Sequence, residues 1–486
     1  MKQRFNLKIL IILAFAIGVS SVTGTVADAA TWYLSPTGSD SSGNGSSASP
    51  YKTLSKASTV GSAGDTYILK NGTYNYSGIQ ISNAKNGTAG AYTIVKAEND
   101  GGAVFTSSGS CILSSTTYVQ YEGLAFKIPG EQKIFEGSGA HHIKFLRCAF
   151  QGGGTQQNVV NTAVANGAHH YLFEDCWFYG LGGRYQLLIY YADYVVVRRC
   201  IFRVDGGWSE GGQPNPQAAT NAYSSSYVAY QNCILIDSPA SSYSSSQDRN
   251  GFYQTCDMNV TNITYEGCIA LNGAYAAFNM DPKGSSQVSN ITFKDILVWG
   301  HDAGIVSKVS ASVVRATIGS VPTIQLGSWN GAMTSSYSIV NSTSIDMSYN
   351  VGLSNSDTWT RSVSGTNNRN VDPLTNGLLY PLRVESGSYL ATNQAGGQMG
   401  AKITTRIGVS GTLYGETGWN TDTGASLWPW PNETRIKADL SQVSTRGFCV
   451  SGMTLTKYIW EFLGNPAPAE FVTQKFPTSP GGIIIQ

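Results

Sequence analysis

A short unit built around a cysteine recurs along the middle of the chain, and it constrains the fold more than any other feature. The unit is a hydrophobic residue, two others, a cysteine, one more residue and a second hydrophobic residue. A unit that returns every few tens of residues is typical of stacked coils, each of which buries its apolar side against its neighbours. Five copies contain the cysteine, and two looser copies flank them: 145–150, 173–178, 197–202, 230–235 and 265–270, then 121–126 and 293–298.

The residues within each unit alternate as two short strands joined by a bend. Ile143 and Phe145 point inward with Lys144 outward, the chain turns a corner, and Cys148 and Phe150 point inward again. A third short strand fits before each unit, and turns rich in Gly, Asn and Ser separate the strands. The pattern therefore predicts an all-β chain folded as a parallel β-helix. Candidate third strands are 186–191, 251–256, 276–281 and 303–308.

The first thirty residues are expected to form a signal peptide. A basic start (Lys2, Arg4 and Lys8) precedes an apolar run at 9–19 that is short for a membrane span, and a small-residue end follows at 27–29. An uncleaved anchor is the alternative. Charged residues make up 13% of the chain and the net charge is +1, which gives no electrostatic footprint for nucleic acid. We expect a protein that is secreted to the cell exterior, the cell surface or the periplasm, with no membrane span after cleavage.

Export raises the question of disulfides, because oxidising compartments favour them. The five cysteines of the repeat, 148, 176, 200, 233 and 268, would lie above one another with their Cβ atoms pointing the same way. Stacked strands are about 4.8 Å apart, whereas a disulfide needs Cβ atoms about 3.8 Å apart and facing each other. We therefore predict a buried column of free thiols. Cys111, Cys256 and Cys449 lie outside this register, and a disulfide between two of them is an alternative.

The two ends of the stack need caps, because end coils expose apolar surface and unpaired strand edges. At the front we predict a capping helix that runs to about residue 60, with Ser49 as N-cap and Pro50 at the first helical position. Leu54, Ala57 and Ser58 share the face that would close the stack.

At the back, the repeat fades after about residue 350. We predict that residues 31–400 form the β-helix with its amino-terminal cap and that residues 401–486 form a small C-terminal module. This module contains two short helices, at 431–440 and 454–463. A purely structural cap is the alternative for the same residues.

An amino-terminal box resembles the secreted right-handed parallel β-helix superfamily of pectate-lyase-like proteins. The box reads WYLSPTGSD at 32–40, SPYKTLSKA at 49–57, AGDTYIL at 63–69 and NGTY at 71–74; a closing segment is similar at 372–373 and 382–388. The resemblance covers about residues 31–400, and polysaccharide lyases and alginate-epimerase-like enzymes share it. It implies a right-handed β-helix, an extracellular polysaccharide as partner and a monomeric protein, whereas fold alone does not fix activity.

In lyases of this superfamily a Lys or Arg base removes the proton next to a uronate carboxylate, and calcium or Arg neutralises that carboxylate. Calcium is therefore a possible cofactor here. The sequence contains no visible cluster of closely spaced Asp residues, which lowers the expectation of a calcium-dependent lyase. It also contains no Asp-Asp pair, which counts against the pectin-hydrolase version of the fold.

The candidate catalytic residues come from aligning the third strands of successive coils. The alignment gives one inward column and, three positions further on, one outward column: Phe252, Phe278 and Ile305, then Thr255, Asp281 and Lys308. Lys308 would be the base and Asp281 its tuner, or a ligand for calcium or sugar. Lys283, in the turn after Asp281, is a second candidate base. The alternative is a surface ion pair that contributes little.

Candidate substrate-binding residues lie on two inserted loops and on neighbouring coils. Trp208 could stack on a sugar ring, while Glu210, Asp248 and Arg249 could contact hydroxyls or a carboxylate. Arg184 would extend the groove by one coil. Tyr253 would line it, together with Tyr190 and Tyr223; local packing is the alternative for these tyrosines.

Two histidine pairs, 141–142 and 169–170, suggest a catalytic or metal site. Asn262 and Asn290 fill the equivalent position of later coils. This equivalence favours a column of turn residues stacked coil on coil.

Two classes of function stay open at this point. The first is a lyase or epimerase that acts on acidic polysaccharide by proton abstraction. The second is a non-catalytic carbohydrate-binding or structural protein of the cell surface or matrix. A hydrolase, the third possibility, would need two groove carboxylates about 5–10 Å apart.

Overall fold

The computed structural model describes residues 29–75, 81–106, 111–113, 115–127, 133–136, 139–154, 160–182, 184–206, 218–238, 250–341, 351–359, 365–391 and 398–472. The chain folds as a right-handed parallel β-helix, as the repeat and the resemblance predict. Each full coil contributes three strands to three parallel sheets. No helix among the described residues is both long enough and apolar enough to span a bilayer.

The strands, in chain order, are β1 Thr31–Leu34, β2 Thr66–Leu69, β3 Gly72–Asn75, β4 Thr93–Ala97, β5 Ala103–Thr106, β6 Cys111–Ile112, β7 Thr117–Glu122, β8 Ala125–Lys127, β9 Lys133–Glu136, β10 His141–Leu146, β11 Ala149–Gly154, β12 Val160–Ala165, β13 His169–Glu174, β14 Trp177–Gly182, β15 Tyr185–Tyr190, β16 Asp193–Arg198, β17 Ile201–Phe202, β18 Ala218–Tyr223, β19 Val228–Gln231, β20 Ile234–Ser238, β21 Asn250–Thr255, β22 Val260–Glu266, β23 Ile269–Gly273, β24 Ala276–Met280, β25 Val288–Trp299, β26 Ala303–Ser307, β27 Ala311–Gly319, β28 Ile324–Ser328, β29 Met333–Ser336, β30 Ile339–Asn341, β31 Val351–Ser354, β32 Asp357–Trp359, β33 Gly365–Thr366, β34 Thr405–Ile407 and β35 Asp422–Ser426. The helices are α1 Leu54–Val60, α2 Glu433–Ser441, α3 Leu455–Trp460 and α4 Ala469–Val472, with short 3₁₀ turns at Ile81–Asn83 and Gly447–Cys449.

The three sheets are named here faces 1, 2 and 3, in the order in which each coil visits them. Face 1 stacks β1, β2, β4, β7, β10, β13, β16, β19, β22, β25, β27, β29, β31 and β33. Face 2 stacks β3, β5, β8, β11, β14, β17, β20 and β23, continues through the second halves of β25 and β27, and ends with β30 and β32. Face 3 stacks β6, β9, β12, β15, β18, β21, β24, β26 and β28. The pair β34–β35 lies outside the stack and is antiparallel.

The interior of the stack consists of aligned columns of identical or similar side chains. Phe145 and Phe173 stack with ring centroids 5.3 Å apart, and Phe150 and Phe178 stack at 4.9 Å. Offset and parallel ring contacts of this kind add to the stability that comes from burial alone. The pairing of each strand with its counterpart one coil away therefore places equivalent residues directly above one another.

The predicted thiol column is confirmed. All five cysteines of the repeat are fully buried and free. Each thiol lies close to a carbonyl of the preceding coil; Cys176 Sγ, for example, is 3.3 Å from the carbonyl oxygen of Phe145. Cys256 and Cys449 are also free, so these two cysteines form no disulfide with each other. The side chain of Cys111 lies outside the described residues.

The amino-terminal capping helix exists, but the prediction of where it begins was wrong. Helix α1 begins at Leu54, and Thr53 is the N-cap, since its side chain accepts a hydrogen bond from the Lys56 amide. Residues 50–52 are not helical because Tyr51 pairs with Leu34 of β1. Asp40 also accepts hydrogen bonds from the backbone amide and the hydroxyl of Thr53. Leu54 and Ala57 are buried as predicted.

Residues 398–472 pack along the outside of the stack. Helices α2 and α3 cover the outer surface of face 2, where Trp177 donates a hydrogen bond to Asp439 at 3.0 Å. Both helices were predicted, and α3 has its N-cap at Thr454. The apolar clusters on the outside of face 3 contain no described residue of this C-terminal segment. The outward residues of face 3 are nevertheless buried for much of its length, Tyr253 among them, and exposure rises at the carboxyl ends of the later strands, as at Lys308.

A buried charge network fastens the same segment to face 1. Arg198 donates hydrogen bonds to Glu174 (2.9 Å) and to the carbonyl oxygens of Val409 (2.8 Å) and Trp419 (2.7 Å). Arg199 pairs with Glu174 at 2.6 Å. Burial raises the pKa of Glu174, but the two guanidinium groups outweigh it, so that the net shift is downward. The network fixes where the segment lies, because a buried charge without partners is costly.

Candidate functional site

The outer surface of face 3 carries a column of polar and aromatic side chains at the carboxyl ends of its strands. Tyr190 pairs in register with Tyr223, and Tyr223 with Thr255. The column continues through Asp281 and Lys308, whose amides donate to the carbonyls of Gln254 and Met280 one coil back. These five residues are called the outer column. Successive members are one coil apart, which is about 4.8 Å.

The register predicted from the inward residues is confirmed, because Phe252 pairs with Phe278 and Phe278 with Ile305. Asp281 and Lys308 are therefore neighbours, with Nζ and Oδ1 2.5 Å apart. The side chains are 29% and 47% exposed, respectively. Tyr253 donates a hydrogen bond to the other oxygen of Asp281 at 3.4 Å. The ion pair lies where a substrate could reach both groups.

Lys283 lies beside the outer column in the turn that follows Asp281. Its ammonium is 3.5 Å from the Tyr223 hydroxyl and 5.0 Å from the centroid of that ring, within the range of a cation–π contact. Among the described residues, no carboxylate forms a salt bridge with Lys283, unlike Lys308. A cavity of about 310 Å³ adjoins the turn and is lined by Pro282, Gly284 and Lys308, among others.

Four residues at the corner between faces 3 and 1 form a hydroxyl–carboxylate cluster that sequence reasoning missed. The Asp257 carboxylate accepts hydrogen bonds from the hydroxyls of Tyr191 (2.6 Å), Tyr223 (3.0 Å) and Ser224 (2.7 Å). These bonds, that of Tyr191 first, lower the pKa of Asp257 to about 2. The sequence did contain a signal for this cluster: each of two aligned strands ends in a tyrosine that is followed by a second residue with a hydroxyl group, at 190–191 and at 223–224.

The same cluster sets the protonation state of its tyrosines. The hydrogen bond to Asp257 raises the pKa of Tyr191. Burial, and then Asp257, raises the pKa of Tyr223. Both phenols are therefore protonated at neutral pH and act as hydrogen-bond donors. The cluster holds the Tyr223 ring in place beneath Lys283.

The remaining predicted binding residues are not all brought to the outer column. Arg184 precedes β15, with its guanidinium 5.4 Å from the Tyr185 ring centroid. It lies at the opposite end of face 3, six residues or about 20 Å along the strand from Tyr190. Trp208, Glu210, Asp248 and Arg249 lie outside the described residues.

Calcium does not fit the described part of the chain. Calcium takes six to eight oxygen ligands, and the described residues contain no group of three or more carboxylates within reach of one ion. The one group of three potential metal ligands found among them consists of His142, His169 and His170. Nitrogen donors of this kind do not suit calcium, so no chemical step is assigned to that ion.

A second cavity, of about 330 Å³, lies between face 1 and the C-terminal segment. Four of its six charged lining residues are paired with each other, and among the described residues Lys402 and Asp422 form no salt bridge. Arg315 donates to both oxygens of Asp295, at 2.7 and 2.5 Å, and Lys294 forms a salt bridge with Glu266. The outer column is the stronger candidate because its repeat follows the coils and because aromatic side chains accompany its lysine.

The predicted column of turn residues is present. Five rings are stacked at one corner of successive coils, with centroids 4.5–4.7 Å apart. Each of these residues has a φ between 54° and 58°, and Asn262 and Asn290 continue the series at 60° and 53°. The stacked rings belong to Tyr118, His142, His170, Tyr194 and Tyr227.

The chain is similar in fold to several proteins of known structure. A rhamnogalacturonan lyase is similar at 13% identity, with 71% of this chain and 90% of that chain covered and a TM-score of 0.40. The pectate lyase Pel9A is similar at 15% identity, with 75% and 91% covered and a TM-score of 0.37. The A-module of the Azotobacter vinelandii mannuronan C-5 epimerase AlgE6 is similar at 9% identity, with 64% and 86% covered and a TM-score of 0.36. Neither a protein-family model nor a curated protein matches the chain.

Proposed function

We propose that this chain acts on acidic polysaccharide at the outer column, as a lyase or epimerase that removes the proton next to a uronate carboxylate. The column itself is the observation that carries the proposal. Its residues repeat at about 4.8 Å, close to the length of one sugar unit. An extended polysaccharide lying across the coils would therefore meet one column residue per sugar, except at Thr255, which is buried.

The two lysines have different roles in this proposal. Lys308, whose Nζ lies 2.5 Å from Asp281, binds the uronate carboxylate and neutralises it. The neighbouring C–H becomes more acidic, since the charge that develops on the carboxylate is stabilised. Lys283 accepts that proton after its ammonium has released its own proton to water. In elimination the bond to the leaving glycosidic oxygen then breaks; in epimerisation a proton returns to the opposite side of the carbon.

The aromatic residues position the sugar. Tyr190 and Tyr223 lie on adjacent coils with ring centroids 5.2 Å apart, and such rings can stack on the apolar face of a sugar. The hydroxyl–carboxylate cluster fixes the ring of Tyr223, so its stacking surface is pre-organised.

Incubation with alginate, pectate and glycosaminoglycans tests the proposal. Elimination gives an unsaturated product that absorbs ultraviolet light, and epimerisation exchanges the abstracted proton with deuterated water. We expect Lys283→Ala to abolish turnover and Lys308→Ala both to raise KM and to lower kcat. Lys294→Ala is the matched control, since Lys294 pairs with Glu266 across adjacent coils of face 1 and is 48% exposed. If the wild-type protein gives neither unsaturated product nor proton exchange with any acidic glycan, the proposal is rejected.

A non-catalytic carbohydrate-binding or structural protein is the second candidate. It is favoured by the ion pair that already engages Lys308 and by the lack of an oxygen cluster for calcium within the described residues. Glycan-array binding that survives both Lys283→Ala and Lys308→Ala, without unsaturated product, would identify this function.

We further propose that the chain is exported, that residues 1–30 are its signal peptide and that the mature protein is a monomer. The basic start and the short apolar run support export. The division at residue 400 is also proposed. Amino-terminal sequencing of the secreted protein and light scattering test these points.

A further inference from the structure

Two histidine pairs lie on adjacent coils at the corner between faces 3 and 1. His141 and His142 open β10, His169 and His170 open β13, and His141 pairs in register with His169. The left-handed φ of His142 (56°) and of His170 (57°) turns the second ring of each pair toward the first. Consequently the Nδ1 atoms are 2.9 Å apart in the first pair and 2.8 Å apart in the second.

The four rings form a compact set of nitrogen donors. The centroids of His141 and His169 are 5.0 Å apart, and those of His142 and His170 are 4.6 Å apart. The possible ligand atoms of His142, His169 and His170 all lie within 4.8 Å of one another. An ion chelated by His169 and His170 would reach His142 after the His142 ring tilts out of its stack on His170.

The Nδ1 atoms of each pair share a hydrogen bond, and their spacing also matches that of two ligands in a right-angled metal site. Metal–imidazole bonds of about 2.0–2.1 Å that meet at a right angle place their nitrogens about 2.9 Å apart. Right-angled nitrogen sites are typical of Cu²⁺ and Ni²⁺, whereas Zn²⁺ prefers a tetrahedral arrangement with wider nitrogen spacing. Imidazole also suits these ions far better than it suits calcium.

The site is accessible, and it has room for further ligands. A cavity of about 300 Å³ is lined by His169, His170 and Asp193, together with Gly167, Tyr191 and Tyr194, among others. Asp193 lies in register with His169 on the next coil. Water could occupy a remaining coordination position, while the Asp193 carboxylate accepts a hydrogen bond from the Ser226 amide.

The fold does not demand histidine at this corner. Tyr118, Tyr194, Asn262 and Asn290 adopt the same left-handed conformation in other coils, and Thr117 lies in register with His141. Two consecutive pairs of histidines therefore exceed what the turn requires.

We propose that His142, His169 and His170 bind one Cu²⁺ or Ni²⁺ ion, bridging the coils of β10 and β13. Cu²⁺ binds most tightly, in accordance with the general order of affinities for divalent ions. The ion links two coils through side chains that both face solvent, and its binding stabilises the folded chain by mass action.

Untagged full-length protein, stripped with a chelator, provides the test. Equilibrium dialysis against CuCl₂, NiCl₂, ZnCl₂ and CaCl₂ should give one Cu²⁺ per chain, weaker Ni²⁺ and Zn²⁺, and no Ca²⁺. The electron paramagnetic resonance spectrum of the Cu²⁺ form should show splitting from several imidazole nitrogens. Background binding is small, because the chain contains five histidines and the fifth, His301, is buried.

The double variant His142→Asn/His170→Asn is the matched change, since asparagine occupies the same left-handed position in later coils. It should lower Cu²⁺ affinity at least tenfold and leave the melting temperature without metal close to that of the wild type. If the variant fails to fold, His141→Thr/His169→Thr takes its place, with Thr117 as precedent. Equal Cu²⁺ binding by wild type and variants, or a spectrum without nitrogen splitting, would overturn the proposal.

Discussion

Lys308 and Asp281 lie on adjacent coils of face 3, and their Nζ and Oδ1 atoms are 2.5 Å apart. The two residues are far apart in the sequence. They become neighbours because Phe278 and Ile305 pair in register in the interior of the stack. The outward side chains three positions further on are therefore brought together. A site that forms in this way depends on the inward columns as much as on its own residues.

The ion pair of Lys308 should matter for activity and little for stability. We predict that Lys308→Ala and Lys294→Ala each change the free energy of unfolding by about 0–1 kcal/mol, since both pairs are partly exposed. Only Lys308→Ala should reduce kcat/KM on an acidic polysaccharide. Urea unfolding and the ultraviolet assay measure the two effects. Equal loss of activity in both variants would point to a general effect of charge.

Asp257 should make part of the protein's stability sensitive to acid. The pKa of this carboxyl is about 2, below its ordinary value of 3.8, so the folded state binds this proton less readily than the unfolded state. Its contribution to stability is complete above pH 3.8 and is lost as the pH falls toward 2. In Asp257→Asn this part of the pH dependence should disappear. Urea midpoints between pH 2 and pH 6 test it, and parallel profiles for the two proteins would contradict it.

The buried Arg198 should hold the C-terminal segment on face 1. We predict that Arg198→Met lowers the free energy of unfolding by about 3–5 kcal/mol, since Glu174 then keeps a buried charge with one partner fewer. Limited proteolysis should cut the variant near residues 409–419 first. Arg147→Met is the control, because Arg147 forms partly exposed pairs with Asp100 and Glu122 at the same corner of earlier coils. An equally small effect in both variants would be inconsistent with this role.

The cysteines of the thiol column should not react with thiol reagents in the native protein. Burial raises the pKa of Cys148, Cys200 and Cys268, and the cysteines of the column are fully buried. A thiol reagent should therefore leave them unmodified until the protein unfolds. In denaturant at least seven thiols should react per chain, as seven cysteines are free. Rapid modification of the folded protein at any of the five column positions would contradict this prediction.

Residues that repeat were predictable, because the stack converts sequence period into contact. The cysteine unit gave the strand order, the free thiols and the alignment of Asp281 with Lys308. The equivalence of His142 and His170 with Asn262 gave the stacked column of turn residues. In each case the prediction came from comparing the sequences of two coils, and it required no knowledge of long-range contacts.

Features that occur once were not predictable in the same way. The start of helix α1 depends on Tyr51 pairing with β1 and on Asp40 binding Thr53, contacts between segments that share no pattern. The hydroxyl–carboxylate cluster depends on Asp257, a single residue in a turn. Likewise, nothing in the sequence around Arg198 indicates that residues 409–419 cover it.

A crystal structure of Lys283→Ala with a soaked tetrasaccharide of mannuronate or galacturonate tests the central claim most directly. The account predicts that the sugars lie across the coils of face 3, on Tyr190 and Tyr223, with one carboxylate on Lys308. Sugar density in the cavity between face 1 and the C-terminal segment, with the outer column empty, would contradict it.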